Sequence, residues 1–243
     1  MSALLEVNGL RKRFGGVQAV DDCSFAVERG TVTGLIGPNG SGKTTLFNLI
    51  TGYLKADAGR LHFAGQLRRK PSPGALYRAG LARTFQQARV FPQLTLVENL
   101  AAASEAPWRA LFRGRISTAE GARAGELLEE FGLAAHAKSK AAELSYGQRK
   151  LLEFATVLMS RPKLVLLDEP TAGVNPVMIE TMERHIRSLH AEGLTFLVVE
   201  HDMGLVMRLC DPIVVLDRGR KIAEGPAADV QRDPVVLDAY LGA

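Results

Sequence analysis

The stretch "GPNGSGKT", Gly37 to Thr44, has the residue types and spacing to hold a polyphosphate. It matches G-x-x-x-x-G-K-S/T at every fixed position, follows the β-compatible run "TVTGLI" and opens the helical run "LFNLITG". In that setting Gly37, Pro38, Asn39, Gly40, Ser41 and Gly42 form a curled backbone whose N–H groups face phosphate oxygens, because glycine tolerates the conformations needed. Lys43 brings a positive charge to the terminal phosphates, the Thr44 hydroxyl is a candidate Mg²⁺ ligand, and Thr45 beside it is a further candidate nucleotide-binding residue. A glycine-rich turn without a ligand has no need of Lys and Thr at these offsets.

A second constellation lies at "LVLLDEP", Leu164 to Pro170, where an apolar run ends in two carboxylates. The run reads as a buried parallel strand, and such strands present ligand sites at their carboxyl ends. Asp168 is then a candidate for holding Mg²⁺, directly or through water. Glu169 is a candidate for orienting or deprotonating an attacking water. Two acidic residues at a strand end also suit a solvated turn, but alongside the phosphate loop they point to hydrolysis of a nucleoside triphosphate. A third feature is "LSYGQRK", Leu144 to Lys150, which reads as a helix start capped by Ser145. Its free N–H groups suit an anion, although the phosphate loop already has a helix of its own.

These residues need a scaffold that alternates strand and helix. The opening third reads as strands ("LLEVNGL", "CSFAVE", "TVTGLIG", "GRLHFAG"), with "LARTFQ" (81–86) as a further one. Thr95 with Glu98, and Ser117 with Glu120, make capping-box patterns, and the block from there to "LLEFATVLMS" is helical. The last third alternates again, ending in the hairpin "PIVVLDRGRKIAEG" and a short helix. The expectation is one α/β domain over residues 4–241 with a helical subdomain inserted at about 88–162.

The bulk properties agree. The 243 residues are 47% hydrophobic and carry 30 Lys+Arg against 26 Asp+Glu, a net charge of +4 spread along the chain. Small basic clusters occur at "LRRK" (67–70) and "FRGR" (112–115), without the dense stripe expected of a nucleic-acid binder, so no nucleic-acid partner is expected. Cys23 and Cys210 have no metal-site spacing and read as reduced thiols of a cytosolic protein. No signal segment opens the chain, and no apolar run is long enough to span a bilayer.

The phosphate loop, "LSYGQ" and "LLDEP", in this order and spacing, resemble the ATP-binding cassette (ABC) ATPases from about Leu4 to Leu241. The resemblance implies a P-loop NTPase (RecA-like) core with an antiparallel β subdomain and a helical subdomain, using ATP and Mg²⁺. In such proteins two nucleotide-binding domains pair head to tail. Ser145, Tyr146, Gly147 and Gln148 would therefore face the ATP held by a second ATPase subunit, in a homo- or heterodimer. By the same resemblance Gln86 in "RTFQQ", with Gln87 beside it as the other choice, contacts Mg²⁺ or the attacking water. His201 in "VVEHD" hydrogen-bonds the γ-phosphate, and Phe14 in "RFGG" stacks on adenine. Two positions depart from the family pattern: Tyr146 stands for a glycine, and Asn175 in "AGVNP" stands for an aspartate.

The finer text, "ARTFQ", "LSYGQ", "AGVNP", "VVEHDM" and the ending "AYLG", is similar to ATPase subunits of bacterial branched-chain amino-acid importers. That likeness implies permease partners, a periplasmic binding protein acting indirectly, and a peripheral place on the cytoplasmic face of the inner membrane. Relatives that import urea or amides, or that energise lipopolysaccharide extraction, share most of these motifs. Soluble ABC ATPases are the rival class. They usually carry coiled-coil insertions, zinc modules or two cassettes, whereas about sixty residues separate Gln86 from Ser145 here.

Overall fold

The computed structural model describes residues 3–85, 88–104 and 116–241. Strands β1 (Ala3–Phe14) and β2 (Val17–Glu28) form a long antiparallel hairpin, with Phe14 paired to Val17 across the Gly15–Gly16 turn. The five-residue β3 (Val32–Ile36) is buried throughout, and helix α1 (Lys43–Ile50) follows it. Strands β4 (Ala58–Phe63) and β5 (Gln66–Leu67) join the hairpin in a four-stranded sheet of order β2-β1-β4-β5. Helix α2 (Pro73–Arg78) was not legible in the sequence. The strand expected over 81–86 is β6, Leu81–Arg83, paired with Leu164, Val165 and Leu166. Past it the Thr84 side chain accepts from the Asp168 N–H and the Phe85 N–H turns to Glu153, while Gln86 lies outside the described residues.

Among the described residues three α-helices lie within 88–162: α3 (Leu96–Ala102), α4 (Thr118–Glu130) and α5 (Tyr146–Leu158). Both expected capping boxes form, and Ser145 with Gln148 makes a third at the head of α5. Beyond them run β7 (Leu164–Asp168), α6 (Pro176–Ala191), β8 (Thr195–Val199), α7 (Met203–Leu209), β9 (Ile213–Asp217), β10 (Arg220–Gly225), α8 (Ala227–Val230) and α9 (Pro234–Leu241). The second sheet has the order β10-β9-β3-β8-β7-β6, parallel except for the β9–β10 hairpin.

Strand alternation divides the interior in two. Val165, Leu167, Phe196 and Val198 face a core shared with α3, α4 and α5, whereas Leu164, Leu166, Leu197 and Val199 face α1 and the four-stranded sheet. Three rings tie the helices to the sheet: Phe131 meets Phe154 of α5 edge-on at 5.2 Å, and Phe154 meets Phe196 of β8 at 6.3 Å. Such fully buried side chains each contribute about 1.5–3 kcal/mol. Cys23 and Cys210 are buried free thiols, each pushed by burial to about 12, so both stay protonated.

On its other side Phe131 stacks on His185 of α6, with centroids 4.3 Å apart and planes at 14°. Burial holds the His185 imidazole below its ordinary value, and Arg184 acts in the same direction. The unfolded chain therefore binds this proton at a higher pH than the folded chain does. The contribution is full above the ordinary value of about 6.5 and is lost as pH falls below it. The urea midpoint should drop between about pH 7.5 and about pH 5.5, and His185→Gln should flatten part of that slope.

Candidate nucleotide site

Register places the reactive loops side by side. Val199 of β8 pairs with Leu35 of β3 on one side and Asp168 of β7 on the other, so three strands end at one level. The loops that follow them carry the phosphate loop, Glu169 and His201. This is the carboxyl edge of a parallel sheet, where ligands bind.

The phosphate loop needs its glycines for two different reasons. A Cβ on Gly37 (φ 149°) would lie 2.1 Å from the Leu216 carbonyl oxygen and 2.7 Å from Ser41 Oγ. One on Gly42 (φ 101°) would lie 2.4 Å from the Ala19 carbonyl oxygen. Gly40 (φ 79°) has open space around it, and only its backbone conformation asks for glycine. Lys43 lies across this loop, its Nζ donating to the carbonyls of Gly37 at 2.7 Å and Pro38 at 2.9 Å and to Ser41 Oγ at 3.3 Å. Burial lowers the Lys43 pKa, and the nearby Glu169 carboxylate opposes that shift.

A cavity of about 530 Å³ unites residues 39–45 of this loop and helix start with Glu169 and His201. Val17, Gln18 and Ala19 of β2 and Arg218 of the β9–β10 turn also line it. None of these four carries a motif, and only the fold brings them in. Phe14 does not line the cavity; it stands half-exposed beside it, paired to Val17, with the Lys12 ammonium 5.4 Å from its ring centroid.

Glu169 sits one residue past β7 with φ 47°, a conformation that costs a residue with a Cβ about 1–3 kcal/mol. Its N–H donates to the Val199 carbonyl at 2.9 Å, and its Oε1 lies 2.5 Å from His201 Nε2. The expected water-orienting and phosphate-sensing groups thus touch each other. The buried Glu200, which the sequence reading passed over, holds both loops. Its Oε1 accepts from Thr171 N–H at 2.9 Å and Thr171 Oγ1 at 2.6 Å, and its Oε2 accepts from His201 N–H at 3.0 Å.

Asp168 is also buried, and its Oδ2 accepts from Arg83 Nη2 at 2.7 Å. Arg83, another residue missed by motif, reaches Asn48 of α1 and Thr51 at its C-cap as well. Among the described residues no three His, Cys, Asp or Glu side chains gather to hold a metal. Thr44 lines the cavity, whereas Asp168 does not line it and is paired with Arg83. A hydroxyl and one carboxylate are the kind of protein ligands Mg²⁺ takes beside phosphates, so these two fit that ion once Asp168 is shared with it. Gln86 and Gln87, the other expected metal contact, lie outside the described residues.

Residues Ser145–Gln148 do not line this cavity. Ser145 caps α5: its Oγ accepts from Gln148 N–H at 3.3 Å, and Gln148 Oε1 accepts from Ser145 N–H at 2.9 Å. Of the first-turn amides, the box leaves over those of Tyr146 and Gly147. The departure at Tyr146 has a structural setting, since a Cβ on Gly173 would lie 3.4 Å from its ring. Asn175 caps α6, its Oδ1 accepting from Met178 N–H at 2.9 Å. Asn175→Ala should lower stability by about 1 kcal/mol in urea unfolding, whereas Asn175→Asp, an equally good cap, should keep it.

A family model described as ABC transporter matches residues 20–172, and one described as branched-chain amino acid ATP-binding cassette transporter matches residues 220–243. The chain is 39% identical over 250 residues to a Methanocaldococcus jannaschii protein named probable branched-chain amino acid transport ATP-binding protein LivG. That match covers 98% of this chain and 97% of the relative. It is 38% identical over 249 residues to the high-affinity branched-chain amino acid transport ATP-binding protein BraF of Pseudomonas aeruginosa, covering 98% of each. Among solved structures, the ADP conformation of an ATP-binding cassette of an ABC transporter superposes with a TM-score of 0.89, at 38% identity and covering 100% of each chain.

Proposed function

This chain belongs to the ABC transporter family and is one of its ATPases, and from that premise we propose that it drives an importer of branched-chain or other hydrophobic amino acids. The observation that carries the ATPase chemistry is the single cavity in which the phosphate loop meets the Glu169–His201 pair. The substrate class rests on the match at residues 220–243 and on the names of the relatives.

In this reading the loop amides and Lys43 bind the phosphates of ATP, with Lys43 exchanging its carbonyl partners for phosphate oxygens. Phe14, at the rim, stacks on adenine. Thr44, Asp168 and Gln86 would hold Mg²⁺, which neutralises phosphate charge when bound. Glu169 turns from His201 to the attacking water and takes its proton as the water oxygen bonds to the γ-phosphorus and the bond to the β-phosphate oxygen breaks. His201, so released, donates to the γ-phosphate.

A second ATPase subunit completes the site by bringing its own capped helix start to this ATP, as Ser145–Gln148 of this chain does for the partner's. The N–H groups and dipole at such a helix start suit the phosphate charge. ATP therefore bridges two faces that otherwise present like charge, and its hydrolysis removes the bridge. The helices within 88–162 form the subdomain against which permease loops dock. Among the described residues no helix is long and apolar enough to cross a membrane, so membrane attachment is assigned to the permeases.

Affinity purification of the tagged chain from gently solubilised membranes of its host tests the assignment. Permeases and a second, related ATPase should copurify. Recovery only with ribosomes, DNA or no partner would overturn the transport reading and leave the hydrolysis chemistry standing.

A further inference from the structure

Lys150 and Glu153 lie one turn apart in the middle of α5 and are buried, at 2% and 4% exposure. Charged side chains are seldom so enclosed unless they hold something. Glu153 Oε1 accepts from the backbone N–H of Phe85 at 3.0 Å and of Arg89 at 3.3 Å. Lys150 Nζ donates to the carbonyl of the same Phe85 at 3.1 Å. One carboxylate and one ammonium thus grip the main chain on both sides of residues 86–87. Burial pushes the Glu153 pKa up and the Lys150 pKa down, and each charge counters the shift of the other.

The grip joins two places with separate duties. Phe85 shares a cavity of about 320 Å³ with Tyr53 and Tyr77, and Val157 of α5 lines the same cavity. From Glu153 the capped start at Ser145 lies about 12 Å back along the helix axis. Buried charges are a poor source of stability, because desolvation offsets much of what their partners supply.

We propose that Lys150 and Glu153 are positioning residues that fasten the main chain at Phe85 and Arg89 to α5, so that a permease displacing those two residues moves the helix start at Ser145 with them. The proposal rests on the transport reading for its source of motion, while the clasp is a property of the chain alone. Two measurements keep these apart.

The first is amide hydrogen exchange on the isolated chain. Glu153→Ala should speed exchange at Phe85 and Arg89 by at least about tenfold, and Glu153→Gln, which keeps an acceptor oxygen, should restore much of the protection. The second is ATP hydrolysis by the assembled transporter with substrate-loaded binding protein. Glu153→Ala and Lys150→Met should abolish the stimulation of kcat while leaving ATP affinity of the isolated chain within about twofold of wild type. A purely structural role would lower affinity, stability and stimulation together.

If Glu153→Ala fails to fold, Lys150→Met carries the test, because it removes the ammonium at the Phe85 carbonyl and leaves both Glu153 hydrogen bonds in place. Unchanged exchange at Phe85 and Arg89 would overturn the clasp. Loosened amides with full stimulation would overturn its role in coupling. Absence of stimulation in the wild-type complex would count against the transport reading, and exchange would then judge the clasp alone.

Discussion

Glu169→Gln should bind ATP as tightly as wild type and hydrolyse it at least about a hundredfold more slowly. The change keeps the side chain's size and its capacity to hydrogen-bond His201, 2.5 Å away, but removes the carboxylate that takes up a proton. It leaves the backbone unaltered in kind, because glutamine tolerates the φ of 47° no better than glutamate does. Loss of activity therefore reports on proton transfer rather than on refolding of the loop. Single-turnover hydrolysis beside a direct binding titration separates the two quantities. Near-normal turnover would remove Glu169 from the role assigned to it. His201→Ala serves as the companion, since it removes the 2.5 Å contact to Glu169 and tests whether that contact restrains the idle site.

Gly37→Ala should weaken ATP binding by at least about tenfold and lower the melting temperature, whereas Gly40→Ala should cost only backbone strain, about 1–2 kcal/mol. The difference lies in what each methyl meets. At Gly37 the new carbon would sit 2.1 Å from the Leu216 carbonyl, main chain of β9 that cannot swing aside. The phosphate loop would have to lift from the sheet, carrying with it the Gly37 carbonyl that Lys43 holds. At Gly40 the methyl would meet open space. Fluorescent-nucleotide titration and a thermal melt of both variants decide the matter. Equal behaviour would show that the loop yields more easily than its packing implies.

These contrasts also explain which parts of the molecule could be read in advance. The phosphate loop, the buried strand before Asp168 and the capping boxes at Thr95, Ser117 and Ser145 are written in residues close together in sequence, so local chemistry identifies them. Arg83 and Glu200 are different. Each is an ordinary charged residue until the sheet brings Asp168 or Thr171 to it, 85 and 29 positions away. The cavity wall at Val17, Gln18 and Ala19 comes from the antiparallel sheet, and no residue type there announces a ligand. Helix α2 is six residues long and begins Pro-Gly, which reads as a turn. The strand at Leu81 ends early because the Thr84 side chain accepts from the Asp168 N–H and the Phe85 N–H turns to Glu153. Tyr146 looked like a bulky departure, and its place against Gly173 depends on how α5 and the segment before α6 approach one another.

The line of rings from Phe131 through Phe154 to Phe196 constrains how the helices at 88–162 can travel. A hinge that lifted them from the sheet would open the core they share with Val165, Leu167 and Val198 to water, at about 25 cal/mol for each Å² of apolar surface exposed. Sliding along the sheet keeps the same surface covered while the contacts are exchanged. For this block shear, small steps of interlocked side chains past one another, is therefore the cheaper motion, that of a drawer on its runners rather than of a jaw.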